Sequence, residues 1–295
     1  MPEGILAGPA AAGQQGGNGI PAGFQRPQEV PFSKLGPGFI ESWAPPPKQG
    51  GAFEGEHFEV TGQSGSGKSY TLAAILHMRA LRRGTPTIYV CTKQDDPTVR
   101  RLVELGWPLA TTWEEMRRHR QCIFWPQTKQ MGEGKDKFFE ERIYDLLTRL
   151  WVKESNTIVV FDEIGYVESL SRRIKKLIRQ YWREARALGI SVIASKQRPV
   201  GVTRDQHSES RWKIVFPPAD AGDMQRFAEL LGQPRDWGPV LDSLDQEQHQ
   251  FVIRNSVTKD AYISWVDFAL EDLRALEQRA KGTGEVLYGQ QQEVS

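Results

Sequence analysis

Eight residues, Gly62-Gln63-Ser64-Gly65-Ser66-Gly67-Lys68-Ser69, constrain this chain more than any other stretch. A short apolar-alternating run, Phe58-Glu59-Val60, leads into them, and a strong helical pattern opening at Tyr70 leads out. That is the strand–loop–helix setting of a phosphate-binding loop. Glycine lets the backbone curl so that successive N–H groups face phosphate oxygens, and the helix N-terminus adds partial positive charge. In such a loop Gly62 through Tyr70 would cradle a nucleoside triphosphate. Lys68 would reach its β- and γ-phosphates, and the Ser69 hydroxyl would hold Mg2+.

Composition narrows the rest. A chain of 295 residues accommodates one large domain or two small ones. Apolar residues make up only 39% of it, so part of the chain is expected to stay outside a packed core. The net charge of +1 supplies no global basic field, and any nucleic-acid contact must come from local patches. Cys91 and Cys122 both fall in apolar, strand-like runs and read as buried thiols of a reducing compartment. No apolar run approaches the ~18 residues that span a bilayer, and the N-terminus lacks the pattern of a signal peptide. A cytoplasmic chain without a transmembrane segment is therefore expected.

Three regions follow. Residues 1–52 contain twenty Gly and Pro residues and no helical or strand period, which predicts a flexible arm. It is either a disordered leader or an arm that docks on a neighbour through Phe24, Phe32, Phe39, Ile40 and Trp43. Residues 53–248 alternate strand runs (57–61, 87–92, 122–125, 157–162, 191–195 and 212–216) with helical patterns, clearest at 69–82, 137–151 and 170–188. This predicts an α/β fold, a mostly parallel sheet flanked by helices, with its ligand at the carboxyl ends of the strands. Residues 249–295 predict a hairpin from runs at 251–254 and 261–266, a helix over about 266–281, and a flexible tail.

The run Thr157-Ile158-Val159-Val160-Phe161 ends in Asp162-Glu163. At a strand tip beside a phosphate loop, Asp162 would orient Mg2+ and Glu163 would polarise the attacking water. Paired acids of this kind point to hydrolysis coupled to motion. Nearly ninety residues and two further strand signals separate this strand from the loop, which suggests the additional-strand division of such folds, with a third strand between the two motif strands. The strand 191–195 runs into Lys196-Gln197-Arg198-Pro199, and Gln197 stands where a side chain would contact the γ-phosphate or the water.

Phosphate loop, Asp-Glu tip and Gln-Arg-Pro tip together resemble the FtsK–HerA superfamily of DNA-pumping P-loop ATPases, a RecA-like fold. Residues 186–199, Arg-Ala-Leu-Gly-Ile-Ser-Val-Ile-Ala-Ser-Lys-Gln-Arg-Pro, are similar to that family's signature, and the likeness covers about 53–232. Lys196 departs from it, since a small hydroxyl residue is usual there. The resemblance implies that Arg186 is an arginine finger inserted into the neighbouring subunit's site and that Gln197 is the sensor. It further implies ATP and Mg2+ as cofactors and a homo-oligomeric ring, a hexamer, that moves double-stranded DNA. A nearly bare motor with a Gly/Pro-rich leader looks most like the genome-packaging ATPases of tailless membrane-containing phages. In that setting the arm would meet a capsid or portal vertex, and the protein would be virion-associated. An ATPase of virion morphogenesis or protein export is the other reading, as is a translocase of plasmid transfer or chromosome segregation.

Around Arg186, residues Leu170, Ile174, Leu177, Tyr181, Ala185 and Leu188 share one face of a helical wheel. Arg172, Lys176, Arg179, Arg183 and Arg186 share the opposite one. Such a like-charged row is either a solvated face or a surface with a partner, and an adjacent subunit is the partner expected here. Candidate DNA contacts are the loop 165–171 and the segment 200–211 with Arg204 and Arg211. The stretch 43–53 stands where a base could stack.

Overall fold

The computed structural model of the chain describes residues 24–45, 53–197, 204–218 and 220–276. In chain order they form β1 (Gln28–Glu29), α1 (Phe32–Ser42), β2 (His57–Thr61), α2 (Lys68–Arg83), β3 (Thr87–Val90), α3 (Pro97–Glu104), β4 (Leu109–Ala110), α4 (Trp113–Met116) and β5 (Gln121–Phe124). There follow α5 (Glu133–Leu150), β6 (Thr157–Phe161), α6 (Ile164–Ser169), α7 (Arg172–Glu184), β7 (Ile190–Lys196), α8 (Arg204–Glu209) and β8 (Ser210–Val215). The last elements are α9 (Ala221–Leu231), α10 (Pro234–Asp242), β9 (Phe251–Asn255) and β10 (Ala261–Ser264).

All ten strands belong to one sheet, ordered β1-β10-β9-β8-β2-β7-β6-β3-β5-β4. From β8 to β4 every pairing is parallel, and the β9–β10 hairpin extends that sheet in antiparallel fashion. The central strands β2, β3, β6 and β7 are buried along their whole length, as their near-continuous apolar runs require when helices cover both faces. One face packs under α1, α2 and α3, with Phe58, Val60, Ile193 and Ile214 pointing into it. The other packs under α5, α6 and α7, with Val159, Phe161, Val192 and Ala194. The third strand inserted between the motif strands is β7, paired to β2 on one side and to β6 on the other. It carries Gln197 at its tip, so the predicted additional-strand order is present.

The sequence set residues 1–52 apart from the core, but their described part is built into it. Phe32, Phe39, Ile40 and Trp43 are fully buried against Phe58, Trp212 and Phe251 of the same chain. The aromatic residues of this Gly/Pro-rich stretch supply enough apolar surface to order it, an exception to its composition. Arg79 of α2 completes the joint. Its buried guanidinium donates to the carbonyls of Ile40, Trp43 and Ala44, which end α1, and lies over the Trp43 ring. Trp43 is therefore core, and no base can stack there. Residues 1–23 and 46–52 lie outside the described residues.

Two expected helices take another form. The helix expected over about 266–281 does not begin at Val266. Residues 265–269 form neither helix nor strand, and their polar groups tie to α1 and α2: Phe32 N donates to Trp265 O, Ser33 N and Oγ to Asp267, and Tyr70 Oη to Phe268 O. A 3-10 turn at Leu270–Asp272 follows, residues 273–276 are helical, and the remainder beyond 276 lies outside the described residues. The helix expected over 170–188 is α7 followed by a 3-10 turn at Ala185–Leu188. Ser171 caps its start by accepting from Ile174 N, and Gly189 ends the turn at φ 77°. Its buried face includes Ile178 and Trp182, which the wheel left out.

Candidate nucleotide-binding site

The loop after β2 is held at its entry and shaped at its exit. Gly62 N donates to Lys196 O at 3.1 Å, tying the loop to the end of β7. Gly65 and Gly67 adopt φ 82° and 88°, left-handed conformations that favour glycine. Gly67 also has no room for a side chain, because a Cβ there would lie 2.7 Å from His249 Cβ. The loop then becomes the N-terminus of α2, and Ser66 Oγ is buried in it without a hydrogen-bond partner.

A cavity of about 590 Å3 lies over this loop. The loop and the first turn of α2 line it, as do Gln197, Lys93, Asp96 and Arg101 after β3, and Gln248, His249 and Val266 around β9 and β10, which lie across β2 from β3. Its residues come from the tips of β2, β3 and β7, at the carboxyl edge of the sheet, where the strand pattern placed the ligand. At one end the Arg101 guanidinium lies over the Tyr70 ring, 4.8 Å from its centroid, a flat cationic–aromatic surface.

Asp162, at the tip of β6, joins the cavity through Lys93. The Lys93 ammonium bonds Asp162 and lies 3.3 Å from Asp96. Asp96 is buried and caps α3, accepting from Thr98 N at 2.7 Å and Val99 N at 3.1 Å, with Pro97 at the first helical position. Burial and the neighbouring Asp96 carboxyl push the Asp162 carboxyl up from its ordinary pKa, while Lys93 opposes the rise. Burial, then the Asp162 charge, also raises Glu163. Lys68 is lowered by burial and by Lys93, against the pull of Asp162 and Glu163. Two adjacent carboxylates already holding a cation, with the Ser69 hydroxyl lining the same cavity, form a hard oxygen donor set of the kind Mg2+ takes.

Arg186 is elsewhere. Its Nε donates to the Gly55 carbonyl at 3.2 Å and Nη1 lies 3.9 Å from Glu209, next to the start of β2 and β7, at the opposite edge of the sheet from the cavity. The basic row that contains it has a partner inside the chain: Asp205 of α8 binds both Arg179 and Arg183. Two of the arginines expected to meet an adjacent subunit are thus already paired within the chain, and both stay about half exposed. Of the candidate DNA contacts, 164–169 is helical rather than a loop, and Arg211 is bonded to the buried Glu56 at 2.5 Å. Arg198, Pro199 and residues 200–203 lie outside the described residues.

Asp96, Arg101, Gln248 and His249 escaped the sequence reading. Asp96-Pro97 following a strand is a legible helix-start signal, and it would have found Asp96. Nothing local marks His249, which reaches the cavity only through the return of β9 beside β8. No described helix is long and apolar enough to cross a membrane. Cys91 and Cys122 are both buried, and burial pushes each thiol up to about 12.

No curated protein matches the chain in sequence. Among solved structures, the DNA-packaging ATPase B204 of Sulfolobus turreted icosahedral virus superposes with a TM-score of 0.55 at 15% identity, over 72% of this chain and 98% of that one. B204 of Sulfolobus turreted icosahedral virus 2, in complex with AMP, gives 0.52 at 14% identity, over 72% and 98%. The cytoplasmic domain of the type VII secretion ATPase EccC of Thermomonospora curvata gives 0.52 at 18% identity, over 76% of this chain and 28% of that one. The likeness to FtsK-type and genome-packaging ATPases that the motifs implied thus extends to the fold. Residues 40–212, more than half of the chain, match the KaiC ATPase family and span β2, its phosphate loop, the acidic tip of β6 and the inserted strand β7, and to that family of P-loop ATPases the chain belongs.

Proposed function

We propose that this chain is a Mg2+-dependent ATPase whose ring drives double-stranded DNA, in genome packaging. One observation carries the reading: Lys68, Ser69, Gln197 and the Lys93-linked Asp162 meet at one cavity, while Arg186 lies at the far edge of the sheet. With Arg186 away from its own cavity, the site is half a site in this reading, and a neighbouring copy is the source of the Arg186 half. In this reading backbone N–H groups of Gly65 to Tyr70 bind the phosphates and Lys68 neutralises the β- and γ-phosphates. Ser69 and Asp162 would hold Mg2+, which when bound supplies charge neutralisation across the phosphate chain. Glu163 takes the proton of the attacking water, and Gln197 orients that water against the γ-phosphate. The fold shared with the viral packaging ATPases supports DNA as the cargo.

The fold shared with EccC favours a second reading, an ATPase that moves protein. ATP turnover with and without double-stranded DNA, across a salt series, separates the two. Stimulation that fades with salt is expected of the pump, since phosphate contacts release counterions. Indifference to DNA at every salt concentration favours the exporter.

A further inference from the structure

Gly67 and His249 are packed so closely that Gly67 has no room for a side chain. A Cβ on Gly67 would lie 2.7 Å from His249 Cβ, 2.8 Å from Cγ and 3.2 Å from Nδ1. The imidazole is therefore seated on the last glycine before Lys68, over the first turn of α2. His249 also has φ 52°, a left-handed conformation uncommon outside glycine.

The loop that carries it is pinned. Gln250 N donates to Asp245 O and Gln250 Oε1 accepts from Asp245 N, both at 2.9 Å, and Gln250 itself is buried. Asp245 Oδ1 accepts from Glu247 N at 2.9 Å and Gln248 N at 3.1 Å, and His249 N donates to Gln246 O at 3.2 Å. A short loop with this many internal bonds presents one side chain in a fixed place at a backbone cost. Strained positions that the surroundings over-determine cluster at ligand sites. His249 is exposed rather than core, so packing does not account for that cost. It lines the cavity and precedes β9, which lies on the other side of β2 from β3, the strand that Lys93 and Asp96 follow.

We propose that His249 is a nucleotide-contacting residue, its imidazole bonding the phosphate chain of a bound nucleoside triphosphate in the same subunit. This rests on the reading of the cavity as the nucleotide site. The imidazole would approach the phosphates from the β9 side of the loop, across β2 from the β3 side that carries Lys93. Because the contact comes from the C-terminal hairpin unit, nucleotide binding and the seating of β9 become linked.

Equilibrium binding of ATP to the full chain, with thermal melting of the same samples without nucleotide, tests it. His249→Ala should weaken ATP binding at least fivefold, and His249→Gln, which keeps a donor, should recover part of that loss. His249→Gly, which suits the left-handed backbone, should weaken binding like His249→Ala while melting without nucleotide at or above the wild-type temperature. ATP affinity unchanged in His249→Ala and His249→Gly overturns the proposal, as does loss of binding only in step with lowered melting. Lys68→Ala reports on the cavity itself. Wild type that does not bind ATP, or Lys68→Ala that binds it as tightly as wild type, removes the nucleotide-site reading and not merely the role of His249.

Discussion

The Lys93 ammonium bonds the Asp162 carboxylate at the tip of β6 and reaches Asp96 at the cap of α3, so one cation serves two carboxylates. Lys93 lines the cavity and Asp162 joins it only through that bond. Burial pushes Lys93 down, but Asp162 and Asp96 outweigh it and hold its pKa above the ordinary value. Lys93→Met leaves two neighbouring carboxylates without their cation. For a fully buried pair the loss would be several kcal/mol, but the Lys93 side chain is 40% exposed, which cuts the expected loss to about 1 kcal/mol. Melting in chelator should therefore fall, and Mg2+ should restore the variant by more than it raises wild type. A variant indifferent to Mg2+ would remove Asp162 from the set of metal-holding residues.

Glu163 faces the same charges without a bonded cation. As general base it must be ionised, and burial followed by the Asp162 charge raises its pKa above 4.5. Turnover should therefore fall as pH drops, with an acid limb above the ordinary glutamate range. Glu163→Gln should lower turnover by roughly a hundredfold or more while ATP still binds. Initial rates across pH, paired with equilibrium binding, check both. Equal, near-zero rates for wild type and variant would end the assignment of hydrolysis to Glu163.

Lys196 shows where sequence reading reached and where it stopped. It was legible as a departure at the sensor tip, but its surroundings were not, because they come from three strands and two helices. It is buried beside Glu59 at 3.9 Å, with Lys213 3.5 Å and His207 3.6 Å from the same carboxylate. The phosphate loop, Asp162-Glu163 and β7 were readable because each is a contiguous run with a strand before it. Asp96, Arg101 and His249 are assembled by tertiary return, and no local period encodes that. The packing of α1 was hidden for the opposite reason. Its Gly and Pro content outvoted five aromatic and aliphatic side chains whose value depends on the pocket under Arg79.

Burial lowers the Lys196 pKa to about 8, against the pull of Glu59, Glu168 and Glu163. The unfolded chain, with an ordinary lysine at 10.5, therefore binds more protons than the folded one between those values. Stability contributed by this residue rises with pH across that window, and the cost of the buried ammonium is present in full below it. Lys213, also lowered by burial, acts in the same sense, while the raised thiols of Cys91 and Cys122 act oppositely at higher pH. The difference between wild type and Lys196→Met isolates the lysine. From pH 7.5 to 9.5 that difference should move toward wild type by about 2 kcal/mol in denaturant unfolding. Parallel pH profiles would count against an ionised, buried Lys196.

Arg79 joins the N-terminal segment to the helix that follows the phosphate loop. Three carbonyls depend on its guanidinium, at 2.6 to 3.1 Å, and Arg79 is 1% exposed. Arg79→Met keeps the apolar stem but leaves those acceptors unpaired. A loss of about 3 kcal/mol is expected, which for a domain this size lowers Tm by roughly 10 °C. Limited proteolysis should then cut within 24–45 before the rest of the chain. Resistance there equal to wild type would show that the aromatic contacts of α1 suffice alone.

Arg186 cannot reach its own cavity, since its bond to Gly55 holds it at the far edge of the sheet. If it acts on a neighbour, two inactive variants complement each other. Lys68→Ala keeps the arginine but loses the phosphate loop, and Arg186→Ala keeps the loop but loses the arginine. Each alone should fall at least a hundredfold in ATP turnover. Mixed in equal amounts and allowed to exchange, about a quarter of head-to-tail interfaces would pair an intact loop with an intact arginine. Turnover should recover toward that fraction. An arginine acting within its own subunit, or serving only to hold Gly55, gives no recovery at any ratio, because no exchange of partners restores a complete site.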